Sequence, residues 1–122
     1  MIVIDASAVL EILRQSPVGI GLFEAPDGRE LDAPHLIDLE VANAVRRWVS
    51  RGEVSEAFAA RALDSFLTIP ITRHPHFPLL GEIWALRHNL TAYDAAYLAL
   101  ARHLDAELLT MDEGLKKRSK RR

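Results

Sequence analysis

The chain contains no cysteine. That excludes a disulfide framework and any thiolate zinc site. Long hydrophobic runs are missing too, the apolar stretches being only a few residues, so no segment reads as a membrane span. The N-terminal stretch MIVIDASAVLEIL has no basic leader region and carries Asp5 and Glu11. It therefore argues against a secretory signal and for a cytoplasmic protein. No internal repeat, low-complexity stretch or linker precedes the C-terminal residues. Neither a phosphate-binding glycine loop nor a Ser-His-Asp order is present, so nucleoside-triphosphate binding and acyl transfer have no support.

What is there is a chain of 122 residues, 49% apolar and 26% charged. That is enough for one domain with a real core and argues against disorder. The net charge of −2 averages two unlike parts. Residues 116–122, KKRSKRR, hold six of the 15 basic residues and no acid. Residues 1–115 then hold nine basic and 17 acidic residues, a net of −8. The expected organisation is one domain over 1–115 followed by a basic tail at 116–122. Such asymmetry suggests a polyanionic or acidic partner for the tail, against the plainer reading of a solvated end.

Residues 1–5, MIVID, are β-branched and apolar and predict a buried parallel strand. AVLEILRQ follows as a helix ending before Pro17, with Ser7 as a possible N-cap. EAPDGRE (24–30) is turn-rich, and ELDAP (30–34) predicts a second strand. In 36–52, Ile37, Val41, Ala44, Val45 and Trp48 keep helical spacing, and Gly52 suits the helix end. A second helix is expected over 53–68 with Val54, Phe58, Ala62 and Phe66 on one stripe. Then come a strand at 69–72, turns and a helix over 74–89, a helix over 91–105, a strand at 106–110 and a short helix at 112–118. This alternation predicts an α/β three-layer sandwich around a mainly parallel sheet of four or five strands. In such folds, sites form at the carboxyl ends of the strands where strand order reverses.

Four acids fall at that edge. Asp5 ends the first strand and Asp112 follows the last. Glu40 opens the helix after the second strand, and Asp94 lies in the first turn of the 91–105 helix. Each has a plain structural use as a helix cap or as a charge favoured by a helix dipole. Together they predict a carboxylate pocket whose members raise one another's pKa, a repulsion that a divalent cation offsets. Oxygen-only ligands favour a hard ion, Mg²⁺ with Mn²⁺ able to substitute. Such a site promotes phosphodiester hydrolysis by in-line attack of water, leaving a 3′-hydroxyl and a 5′-phosphate.

VIDASA (3–8), LEVANAV (39–45), TAYDAAYLALA (91–101) and LLTMD (108–112) resemble the acidic motifs of PIN-domain nucleases. In length and spacing the chain is most similar to the VapC toxins of bacterial toxin–antitoxin pairs, over residues 1–115. The resemblance implies that Asp5, Glu40, Asp94 and Asp112 form the acidic quartet, with Asp5 and Asp94 foremost as metal ligands. It also implies that Ser7 and Thr110 are supporting hydroxyls, and that the sheet order is 3-2-1-4-5. An RNA substrate, Mg²⁺ dependence, a homodimer and an inhibitory antitoxin are further implications. One departure is that KKRSKRR stands where the family's fifth strand belongs, so that strand is expected to be absent.

Other residues carry weaker readings. Asn43, one turn after Glu40, is placed to orient that carboxylate or a water, and Arg46 or Arg47 to meet a phosphate unless both are simply solvated. His74 and His76, between prolines, read as a constrained loop rather than a metal site. Trp48, Trp84, Phe58 and Phe66 read as core or dimer contacts. Tyr93 and Tyr97 flank Asp94, and Tyr97 also fits a buried stripe with Leu100. A haloacid-dehalogenase-like phosphatase would need a second Asp at position 7, where this chain has Ser. The non-enzymatic alternative is an RNA-binding or regulatory module in which the acids merely cap helices and the tail does the binding.

Overall fold

The computed structural model describes residues 1–14 and 30–120. Expectations for the turn-rich stretch before Glu30, the end of the first helix and Arg121–Arg122 lie outside the described residues. Among the described residues there are four strands: β1 (Ile2–Ile4), β2 (Leu31–Pro34), β3 (Ile71–His74) and β4 (Glu107–Leu109). They form one parallel sheet in the order β3-β2-β1-β4. The helices among the described residues are α1 (Ala6–Leu13), α2 (Ile37–Ser50), α3 (Glu56–Thr68), α4 (Leu80–Ala85), α5 (Ala92–Leu104) and α6 (Glu113–Ser119), with a 3₁₀ turn at Phe77–Leu79 before α4. The α/β sandwich read from the sequence is what the chain adopts. Among the described residues there is no fifth strand.

The core follows from the apolar spacing. Val3 and Ile4 of β1 are fully buried, as are Ile37 and Val41 of α2. Helices α1, α2 and α3 pack on one another, while α5 lies against β1, β2 and β4 and packs against α4 and α6. Residues Ala95 to Ala101 of α5 are all buried, so this helix is apolar nearly all round and central to the fold. Gly52 has φ +71, the left-handed geometry that ends α2 most cheaply when no Cβ is present.

Local departures have physical reasons. α1 is capped by Asp5, whose carboxylate accepts the Ala8 N–H, whereas Ser7 lies inside the first turn. Strand β3 runs two residues later than apolarity suggested. Pro70 separates it from α3, and its last residue, His74, is held by a 2.7 Å contact between Nε2 and Oδ1 of buried Asp32 on β2. That polar pair extends the strand where hydrophobicity does not. Helix α3 begins at Glu56 with Ser55 as cap, so Val54 precedes it, and Ala59 joins Ala62 and Phe66 in the core. Trp48 and Phe66 are core residues as expected, but Trp84 is 65% exposed. The basic run begins inside α6, which Leu115 anchors with 1% exposure, and Lys116 and Lys117 are solvated.

Arg73 fixes the start of α2. Its Nη2 and Nε bond the Asp38 carboxylate at 2.6–3.1 Å, and its guanidinium stacks 5.5 Å above the Phe66 ring. The first turn of α2, which carries Glu40, is thereby pinned to the end of β3.

Candidate active site

β1 pairs with β2 on one side and β4 on the other, so strand order reverses at β1. At that reversal the chains leaving β1 and β4 diverge and open a crevice. Asp5 stands at its base, 6% exposed, with every oxygen engaged. Oδ1 accepts the Ser7 hydroxyl at 2.7 Å and the Ala8 N–H at 3.0 Å, while Oδ2 accepts the Thr110 hydroxyl. Thr110, 1% exposed, directly follows β4, so this bond joins the two strands that flank the crevice. Ser7 Oγ also accepts the Met111 N–H at 2.9 Å, and Thr110 Oγ1 accepts the Asp112 N–H at 3.1 Å. The two hydroxyls thus bind the Asp5 carboxylate and the loop entering α6 into one network.

Asp112 caps α6, its Oδ1 accepting the Leu115 N–H at 2.9 Å. Gly114 keeps the space beside it open, since a Cβ there would stand 3.3 Å from that oxygen. Asp94 sits in the first turn of α5, whose cap is Thr91; the Thr91 hydroxyl accepts the Asp94 N–H at 3.2 Å. Glu40 enters from the first turn of α2 and accepts the Tyr97 hydroxyl at 2.6 Å on Oε1.

The electrostatics show that these acids share one field. Burial pushes the Asp5 carboxyl above its ordinary range, more than its three donors lower it, and the charge of Asp112 adds to the rise. Burial also raises Glu40, assisted by Asp94 and Asp5. Asp94 is raised by burial and by the charges of Asp112 and Asp5. Tyr97 is pushed far above the ordinary phenol range by burial and by Glu40, so it remains a donor at every working pH. Asp5 and Asp94 thus share a field with both Glu40 and Asp112 at the edge where the sequence places the four acids.

The supporting residues divide. Ser7 and Thr110 touch Asp5 directly. Asn43 is exposed, and its Oδ1 accepts from Arg46 Nε at 3.1 Å, so the side chain holding Glu40 is Tyr97 instead. Arg46 and Arg47 are solvated. Tyr97 was legible only as a buried aromatic. Its hydroxyl, surrounded by Ala and Leu positions in α5, was the signal that a polar partner had to exist.

The donor set is made of oxygen alone, which fits a hard dication rather than zinc or copper. Among the described residues no three acidic or imidazole groups close into a ready-made cage. Mg²⁺ suits such an arrangement, because it takes one or two carboxylates and keeps several waters. Asp5 supplies a fixed buried anion, Asp94 and Glu40 are half-buried, and Asp112 is exposed. The crevice can therefore hold a cation on one side and remain open to a phosphate on the other.

Comparison with known proteins agrees with this geometry. The family model described as "PIN domain" matches residues 2–121. Ribonuclease VapC1 of Mycobacterium tuberculosis is 44% identical over 115 residues, covering 93% of this chain and 86% of that protein. Ribonuclease VapC9 of the same organism is 41% identical over 112 residues, covering 92% and 86%. The crystal structure of PAE2754 from Pyrobaculum aerophilum superposes with a TM-score of 0.76 at 26% identity, covering 98% of this chain and 86% of that one.

Proposed function

This chain belongs to the PIN-domain family, and from that premise we propose that it is a metal-dependent endoribonuclease of the VapC type, the toxin of a toxin–antitoxin pair. The observation that carries the reading is the placing of Asp5, Glu40 and Asp94 beside Asp112 at the reversal of strand order, where burial and neighbouring acid charges raise the first three carboxyls. Capping explains each acid singly but not their shared field, in which Asp5, Glu40 and Asp94 are all raised; a phosphodiesterase site does explain it.

Asp5, Asp94 and Asp112 would hold the cation, Mg²⁺ in the cell with Mn²⁺ as a substitute, and Glu40 would hold it or orient the attacking water. When bound there, such a cation would supply polarisation of the phosphate, activation of water and stabilisation of the leaving oxygen. Ser7 and Thr110 favour the ionised Asp5 carboxylate against its burial and hold it in one orientation by donating to both of its oxygens. Asn43, Arg46 and Arg47 stand on the exposed side of α2, where the arginines meet the RNA backbone beyond the scissile phosphate. The products are a 3′-hydroxyl and a 5′-phosphate.

The domain over 1–115 carries the chemistry, and the basic 116–122 run adds phosphate affinity from α6 onward. The antitoxin inhibits by occupying the crevice, most simply with an arginine reaching the carboxylates. The working form is a cytoplasmic homodimer. Phe77, Leu80, Trp84 and Tyr93 are 56–80% exposed, and this apolar face suits burial against a second copy. Among the described residues no helix is long and apolar enough to cross a membrane.

The experiment is RNA cleavage in Mg²⁺ together with calorimetry in Mn²⁺. Wild type should cleave and bind, EDTA should stop cleavage, and Asp5→Ala or Asp94→Ala should remove both signals. A wild type that neither cleaves RNA nor binds Mn²⁺ would sink the reading.

A further inference from the structure

Glu40 needs a partner that its own helix does not provide. Asn43, one turn on, is occupied by Arg46, and Arg73 is committed to Asp38. The hydroxyl that does reach Glu40 comes from α5. Tyr97 is 1% exposed, and its hydroxyl donates to Glu40 Oε1 at 2.6 Å. The residue lies three positions after Asp94, within one turn on the same rigid helix, so the distance between Asp94 and the hook on Glu40 is set by α5 itself. One hydroxyl therefore joins α5, which supplies Asp94, to the Glu40 carboxylate on α2.

A phenylalanine would fill the same core volume without a buried hydroxyl to satisfy. The hydroxyl is thus explained by what it does to Glu40. By engaging Oε1 it fixes the carboxylate plane and leaves Oε2 without a protein partner among the described residues. From this juxtaposition we infer that Tyr97 is a positioning residue for the reaction, acting through Glu40 to keep one carboxylate oxygen turned toward the cation and the attacking water. The inference rests on the nuclease reading above and assigns Tyr97 a role beyond packing.

A double-mutant cycle on the full chain tests it, with wild type, Tyr97→Phe, Glu40→Gln and the double variant. For each, RNA cleavage in Mg²⁺, Mn²⁺ affinity by calorimetry and thermal unfolding are measured. Tyr97→Phe should lower kcat about 10–100-fold with KM for RNA within about twofold, and weaken Mn²⁺ binding about 10-fold. In the Glu40→Gln background the same substitution should cost less than about twofold in either quantity, because the group it positions is gone. Equal losses in both backgrounds would overturn the inference. So would wild-type kcat in Tyr97→Phe, or loss of its folded transition, which would make the residue a packing element only. If wild type binds Mn²⁺ but cleaves no RNA, the nuclease reading falls separately. The cycle in Mn²⁺ affinity then decides the positioning role, additivity overturning it and coupling supporting it. A wild type that does neither overturns both.

Discussion

Asp5 and Asp94 are both carboxylates at the same edge, yet the molecule treats them differently. Asp5 is buried, caps α1 and accepts three protein donors. Asp94 is half-buried, and among the described residues its carboxylate accepts no protein hydrogen bond; only its backbone is used, by Thr91. One acid is part of the architecture and the other is an unpaired charge held at a helix start. The site is thus half preorganised and half left for a cation and water to complete.

The largest expected effects separate these two acids. Asp94→Asn should lower kcat/KM by about 10³-fold or more, some 4 kcal/mol of transition-state stabilisation. The same change should raise the melting temperature of the metal-free protein by about 2 °C, since it removes a repelled charge and breaks no hydrogen bond. Asp5→Asn should cost comparable activity but lower the melting temperature by about 4 °C, near 1 kcal/mol, because a cap and two hydroxyl acceptors are disturbed. Kinetics and thermal melts on the same preparations check both. If the two variants melted alike, the division between architecture and unpaired charge would be wrong. Next in size is Thr110→Val, which keeps the volume and removes the donor to Asp5 Oδ2. Activity should fall about 10–100-fold, and the buried carboxylate left with one fewer donor should destabilise the fold by about 1 kcal/mol.

The pH dependence sharpens the comparison further. Asp5, Glu40 and Asp94 all have folded pKa values raised above their unfolded ones, chiefly by burial. The folded protein then holds these protons more tightly than the unfolded chain. Their contribution to stability is greatest below the unfolded carboxylate range, near pH 4, and is lost as pH rises through the raised values. At pH 7 the repulsion is fully present. The gain in melting temperature from Asp94→Asn should accordingly be larger at pH 7 than at pH 4. Saturating Mg²⁺ should stabilise wild type at pH 7 and have less effect at pH 4, where protons compete for the raised carboxyls of Asp5, Glu40 and Asp94. Melts at the two pH values with Mg²⁺ or EDTA read this directly. A gain independent of pH would remove the electrostatic account of Asp94.

Much of this was legible in the residues because spacing and edge position are one-dimensional signals. The 3.6-residue period of Ile37, Val41, Val45 and Trp48 marked α2, and acids after apolar runs marked the crevice. What escaped is three-dimensional. Tyr97 and Glu40 are 57 positions apart, and nothing local in either segment announces their bond. His74 and Asp32 lie 42 apart and turn a polar strand end into a paired one, which is why β3 was displaced. Asn43 was favoured for Glu40 because helical neighbours are visible in sequence, whereas a hydroxyl from another helix is not. The short helix expected over 112–118 is α6, and Leu115 is the buried anchor that seats the first basic residues on it.

The smallest prediction contrasts an ordinary cap with the catalytic one. Ser55 caps α3, its hydroxyl accepting the Phe58 N–H at 3.0 Å, the same i to i+3 geometry that Asp5 offers Ala8. Ser55 is exposed and belongs to none of the crevice contacts. Ser55→Ala should cost about 1 kcal/mol of stability, a melting temperature about 4 °C lower, with kcat/KM and Mn²⁺ affinity unchanged. It therefore lowers the melting temperature as much as Asp5→Asn does while leaving the chemistry intact. If Ser55→Ala also reduced cleavage at a temperature well below its melting point, loss of stability alone would impair activity. The activity lost in Asp5→Asn could then no longer be assigned to the carboxylate itself.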